Sequence, residues 1–139
     1  PGGRDGCRAP IPWDASPEHG WGVADPWLPW PPDADQRNAE AQRADPGSIA
    51  NLYRRLLQAR RRSAALQLGA LELLDAPAGA LAFERSGGDD RRIVLVNFTS
   101  AEVEVPVRGS WAVEVASDGS GERGPYRGRL RPDQAVVLR

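Results

Sequence analysis

The apolar positions of this chain follow three different rhythms. From residue 1 to about residue 43 no regular period is present, and Pro, Gly, Trp and Asp dominate. Ile11-Pro12-Trp13 and the run from Pro26 to Pro32 cannot lie inside a helix, because proline lacks an amide donor and holds its predecessor extended. This stretch reads as long loops, and its aromatic content argues against disorder. From about Pro46 to Ala64, Ile49, Leu52, Tyr53, Leu56 and Leu57 recur at helical spacing and form one apolar stripe. Asp45 suits the N-cap of that helix and Pro46 its first position. Arg60, Arg61 and Arg62 fall in its last turns, where cations complement the helix dipole. From about Leu66 onward the period is two. Val103, Val105 and Val107 alternate with Glu102, Glu104 and Pro106, and Trp111, Val113 and Val115 repeat the pattern. Strands are predicted at 80–84, 93–98, 103–107, 111–115 and 135–138, punctuated by Gly and Asp clusters. Short strands at such spacing predict an antiparallel β domain of sandwich type.

A lone amphipathic helix cannot bury its stripe unaided. Four of the five Trp precede residue 33, in loops that need a partner to pack against. The expectation is therefore a body outside this sequence, with the helix stripe and loop tryptophans exposed in its absence. Composition narrows the partners. Formal net charge is -1 over 139 residues, so no field steers the chain toward nucleic acid or an anionic membrane. All 18 basic residues are Arg, and they are scattered along the chain, as codon bias would leave them. The single cysteine, Cys7, excludes an intrachain disulfide and, with no leader segment visible, sets the expectation of a cytoplasmic protein.

Few residues offer chemistry. His19 is the only histidine and no nucleophile motif accompanies it, so a hydrolase triad is not expected. One Cys and one His do not make the usual zinc clusters. No phosphate-binding glycine loop occurs, and neither a cofactor nor a metal is expected. Asn97-Phe98-Thr99 matches a glycosylation sequon by chance, inside a strand-like run. The informative stretch runs from Gly3 to Asp14. Two arginines and an aspartate in a tight loop ending on Pro-Ile-Pro-Trp suit a polyol, since guanidinium groups bridge vicinal hydroxyls and an indole covers an apolar sugar face. Arg4-Asp5 as a structural ion pair with Trp13 as a core plug is the competing reading.

That stretch, Gly-Arg-Asp-Gly-Cys-Arg-Ala-Pro-Ile-Pro-Trp, resembles the "GRDGCRTPMPW" segment of α-glucosidases in glycoside hydrolase family 13, the α-amylase superfamily, in the group of oligo-1,6-glucosidase and trehalose synthase. Pro26-Trp27-Leu28-Pro29 is similar to the family's "PWLP". Asn38 to Gln42 is similar to its "NVxxQ", Asp45 to Arg61 to its last barrel helix, and Val94 to Thr99 to a strand of its C-terminal domain. The matches are collinear. Ala9, Ile11 and Ala39 depart from the usual Thr, Met and Val. The resemblance implies residues 1–65 as the end of a (β/α)8 barrel and residues 66–139 as an antiparallel β-sandwich domain. It implies a retaining α-glucosidase acting on α-linked gluco-oligosaccharides, whose two catalytic carboxylates and stabilising Asp precede the segment present here. None of Asp5, Asp14, Asp25, Asp33 and Asp35 matches them, so no catalytic residue is expected in this chain. Arg4 matches the arginine that closes the glucose pocket, with Asp5 and Arg8 supporting the loop and the tryptophans anchoring it. A trehalose synthase or α-amylase of the same family, and a free-standing carbohydrate-binding β-sandwich, are the alternatives.

Overall fold

The computed structural model describes residues 3–23 and 25–139, with the side chain of Asp5 outside the description. The chain forms two compact units, Pro1–Leu52 and Tyr53–Arg139. The first contains two short helices, α1 (Asp5–Arg8) and α2 (Ala39–Ala44), joined by irregular chain. Helix α3 (Ile49–Arg62) begins there and continues into the second unit. Then come α4 (Ala64–Leu68) and seven strands: β1 (Ala70–Leu74), β2 (Ala80–Gly87), β3 (Asp90–Asn97), β4 (Val103–Glu104), β5 (Val113–Ala116), β6 (Arg129–Leu130) and β7 (Ala135–Leu138).

Five strands make one antiparallel sheet in the order β1-β2-β3-β7-β5, and β4 pairs with β6 in a ribbon. One face of the sheet carries Ala82, Ile93, Leu95, Val136 and Leu138, which are buried together with Leu130 of the ribbon and Val105 beside it. Leu95 is fully enclosed. Burying a side chain of that size contributes about 1.5–3 kcal/mol.

Polar anchors hold the edges of this core. Asn97 is buried, and its amide donates to the carbonyls of Ala101 (2.7 Å) and Arg131 (2.8 Å). Its carbonyl oxygen accepts from the amide and hydroxyl of Thr99, both at 2.9 Å. A group so engaged is no acceptor for a glycan. Ser63 caps α4 and donates to Asp90, whose same oxygen accepts from the Ala65 amide at 2.9 Å. Those two donors hold the Asp90 carboxyl below its ordinary range. Arg92 extends the network, donating to Asp90 and, at 2.7 Å, to Glu114. Gly69 closes α4 against β2: a Cβ there would lie 2.5 Å from the Ala65 carbonyl and 2.6 Å from that of Ser86.

The structure corrects several local expectations. Residues 1–43 are not wholly irregular, since α1 and α2 lie there. Helix α3 starts at Ile49 rather than Pro46, because Asp45 spends its carboxylate on the Gly47 amide (2.8 Å) while the Ser48 hydroxyl accepts from Asn51. The strand expected at 103–107 stops at Glu104, before Pro106, which has no donor to give a ladder. Strand β5 starts at Val113, two residues later than expected. β1, β6 and α4 were not foreseen.

Candidate functional site

The segment from Gly3 to Trp13 is built by its neighbours. Arg4 precedes α1 as its N-cap residue and its carbonyl accepts from the Cys7 amide at 3.2 Å and from the thiol at 3.0 Å. Beyond Arg8, Pro10 and Pro12 keep the chain extended. The carbonyls of Pro12 and Trp13 then accept from the amides of Ala39 and Glu40, both at 2.9 Å. Those amides open α2 and have no partner within the helix, so the extended chain supplies what the helix end lacks. Asn38 completes the junction. It is buried, accepts from Ala41 at 2.9 Å as the N-cap, and donates to the Asp35 carbonyl at 2.9 Å. Gln42 does the corresponding work for α3: its side-chain oxygen accepts from the Ala50 amide at 3.2 Å, and its carbonyl accepts from the Ser48 hydroxyl (2.6 Å) and the Asn51 side-chain amide (2.9 Å).

Residues 13–20 close a tight loop. The Trp13 amide donates to the His19 carbonyl at 3.0 Å. The Asp14 carboxylate accepts from the Ser16 hydroxyl and amide, which hold it below its ordinary range. Gly20 has φ +78, and a Cβ there would stand 2.9 Å from that of Trp13, so only glycine fits. The Trp21 indole N–H donates to the Ile11 carbonyl at 2.7 Å. His19 meets the Trp30 ring edge-on at 4.6 Å between centroids.

These ties create a cavity of about 380 Å³ lined by Arg8, Pro10, Trp21, Val23, Pro26, Trp27 and Trp30. Its described lining is aromatic and apolar with one guanidinium and no carboxylate. Such a wall can hold the apolar face of a sugar and donate to its hydroxyls; it cannot cleave one. Of the residues singled out in the sequence, Arg8 lies in this lining, whereas Arg4 is exposed and outside it. The Asp5 side chain lies outside the described residues, so the ion pair with Arg4 does too. Trp13 is exposed, tilted against Trp21 at 6.5 Å, and is no core plug. Trp21 is an anchor, but Trp27 is 86% exposed and anchors nothing by burial. The grouping of Arg8 with Trp21, Trp27 and Trp30 was not read from the sequence; the repeated Trp and Pro between residues 21 and 30 are the signal for it. Among the described residues no group of three His, Cys, Asp or Glu side chains could hold a metal ion, and no helix is long and apolar enough to cross a membrane.

Comparison with known proteins decides what this loop belongs to. Residues 2–69 match the α-amylase catalytic domain. The chain belongs to the α-amylase family. It is 34% identical over 137 residues to an α-glucosidase of Pediococcus pentosaceus, covering 96% of this chain and 24% of that protein. It is 35% identical over 107 residues to a glucan 1,6-α-glucosidase of Streptococcus pneumoniae, covering 77% of this chain and 20% of that protein. Among solved structures it is similar to the trehalulose synthase MutB of Pseudomonas mesoacidophila MX-45, with a TM-score of 0.81 and 27% identity over 97% of this chain and 25% of that one. The chain thus spans about a fifth to a quarter of the proteins it matches. It is a glycosidase-family sequence of mixed helix and antiparallel sheet, and the Arg8 cavity falls inside the stretch that matches the catalytic domain.

Proposed function

We propose that this chain is part of a retaining α-glucosidase that hydrolyses terminal α-glucosidic bonds of malto- or isomalto-oligosaccharides. In this reading residues 1–65 complete the catalytic (β/α)8 barrel, and residues 66–139 form a β-sandwich that shields one side of it. Retaining hydrolysis needs a nucleophilic carboxylate and an acid/base carboxylate about 5–5.5 Å apart. Neither belongs to this chain, which on its own is inactive. Arg4 donates to hydroxyls of the non-reducing-end glucose and closes the pocket there, with Asp5 and Arg8 supporting its loop. The enzyme needs no cofactor or metal and works in the cytoplasm.

The observation that carries this reading is the Gly3–Trp13 segment, its arginines in order, inside the stretch matching the α-amylase catalytic domain. Two α-glucosidic-bond hydrolases among the relatives support the reaction class. The test is p-nitrophenyl α-glucoside, maltose and isomaltose hydrolysis by the full-length protein, its Arg4→Ala variant and this chain alone. A charge-assisted hydrogen bond contributes about 1.5–3 kcal/mol, so Arg4→Ala should lower kcat/KM by about 10- to 100-fold. This chain alone should release no glucose. Turnover by the chain, or an unchanged kcat/KM for Arg4→Ala, would refute these assignments.

A second reading keeps the family and changes the outcome from hydrolysis to glucosyl transfer. The likeness to a trehalulose synthase favours it. Incubating the full-length protein with sucrose and identifying the products separates the two: free glucose and fructose for hydrolysis, an isomeric disaccharide for transfer.

A further inference from the structure

Within residues 53–139 a second cavity, of about 230 Å³, takes no part in the loop site. It opens where the end of β1 and the middles of β2 and β3 face the segment from Val105 to Trp111. Its floor is the buried Ala82, Ile93 and Val105, and Leu74 and Trp111 add apolar wall. The rim carries two carboxylates, Asp75 and Glu84, and two guanidinium groups, Arg91 and Arg108.

Part of this rim is rigid. Arg91 binds Glu84 through two parallel bonds of 2.7 Å, and its guanidinium lies 5.7 Å from the centre of the Trp111 ring. The Arg91 donors hold the Glu84 carboxyl below its ordinary range, so the pair stays charged at neutral pH. The Trp111 indole N–H donates to the Arg108 carbonyl at 2.8 Å, which fixes the ring's in-plane orientation. The side chains of Asp75 and Arg108 have no hydrogen-bonding partner among the described residues.

The ligand must match an apolar floor and a charged rim of zero net charge. An apolar side chain would strip water from four charges and return nothing. An anion would gain two guanidiniums and meet two carboxylates. A neutral pyranose satisfies both halves, with C–H groups toward the floor and the indole, and hydroxyls toward Asp75 and Arg108. The volume equals that of about seven or eight waters, room for a single ring rather than a chain. We propose that this cavity is a second, non-catalytic saccharide site that holds one glucosyl unit of an α-linked gluco-oligosaccharide. Only the choice of an α-linked glucose rests on the α-glucosidase reading.

The test follows the five indole N–H resonances of the ¹⁵N-labelled chain while maltotriose or isomaltotriose is added, with cellotriose as the comparison. The Trp111 resonance should move saturably, with a Kd of about 1–10 mM, a range fitting a small open site. Its response should persist in Trp27→Ser, which alters the loop cavity, and weaken at least tenfold in an Asp75→Asn, Arg108→Ser double variant. Both substitutions in that variant are at exposed positions, which spares the core. A still Trp111 resonance, an undiminished response in the double variant, or equal response to cellotriose would overturn the proposal and leave the glucosidase reading intact. Absence of α-glucosidase activity in the full-length protein, with the Trp111 response present, would remove that reading and not the site.

Discussion

The two units solve the problem of holding a chain together in opposite ways. Residues 53–139 fold around an apolar core in which Leu95, Leu130 and Leu138 are fully enclosed, with Asn97 and Ser63 as satisfied polar anchors at its edge. Among the described residues of 1–52, little is buried beyond Pro12, Leu28, Ala34, Asn38 and Ser48. They are shaped by prolines, by carbonyls that serve the start of α2, and by caps, while Ile11, Trp13, Trp21, Val23 and Trp27 stay exposed. Hydrogen bonds give a loop its shape, but each contributes only about 1 kcal/mol net, whereas burial supplies most of the stability. The first unit therefore has defined geometry and little stability of its own, and the second has both. Loops that line a cavity and are shaped by hydrogen bonds rather than by burial fit that division.

The largest effect that can sharpen this contrast is a cavity in the sheet. Leu95→Ala should cost about 3–4 kcal/mol, lowering the urea midpoint for residues 53–139, while Trp27→Ala should leave it unchanged within about 0.5 kcal/mol. An equal loss from both would break the contrast. Matched asparagines give the next test. Asn97→Ala strips partners from Thr99, Ala101 and Arg131 and should cost about 2 kcal/mol of global stability. Asn38→Ala removes a cap worth about 1 kcal/mol and should show only as faster amide exchange around residues 34–51.

Smaller effects come from titration. The Asp90 carboxyl is held low by the Ser63 hydroxyl and Ala65 amide. Its stabilisation is complete above the ordinary carboxylate pKa of about 3.9 and is lost as pH falls through the depressed value. Chemical denaturation of residues 53–139 should thus weaken below about pH 4, and Asp90→Asn should flatten that acid limb. At the other end, burial pushes the Tyr126 hydroxyl, which donates to the Val105 carbonyl at 3.0 Å, up to about 12. Its contribution is full below the ordinary tyrosine pKa of about 10 and lost as pH rises toward 12. Absorbance at 295 nm should show Tyr126 ionising well above the ordinary tyrosine range.

What could be read from the sequence followed the strength of each local period. The stripe of α3 stands out by its helical spacing even though Ile49, Tyr53 and Leu57 stay exposed, and β3 and β7 stand out as short continuous runs of Ile, Val and Leu. The start of α3 was misplaced because Asp45 and Ser48 are both good caps, and only the turn that engages Asp45 with Gly47 decides between them. Strand β1 hid because Ala70–Leu74 is a short edge strand in which alternation is limited to Leu71-Glu72-Leu73 and burial favours neither side; Leu71, Glu72 and Leu73 are all exposed. The place of the Gly3–Trp13 segment in an α-amylase-family sequence was legible through its resemblance to α-glucosidases. The meeting of Arg8 with Trp21, Trp27 and Trp30 was not, because it depends on how several prolines turn the intervening chain.

The contrast between the units is tested most directly by residue-resolved amide hydrogen exchange on the intact chain under native conditions. Slow exchange limited by global unfolding is predicted for β2, β3 and β7, with exchange at least 100-fold faster over residues 11–33 apart from the few hydrogen-bonded amides. Uniform protection from residue 3 to residue 45, equal to that of the sheet, would contradict it.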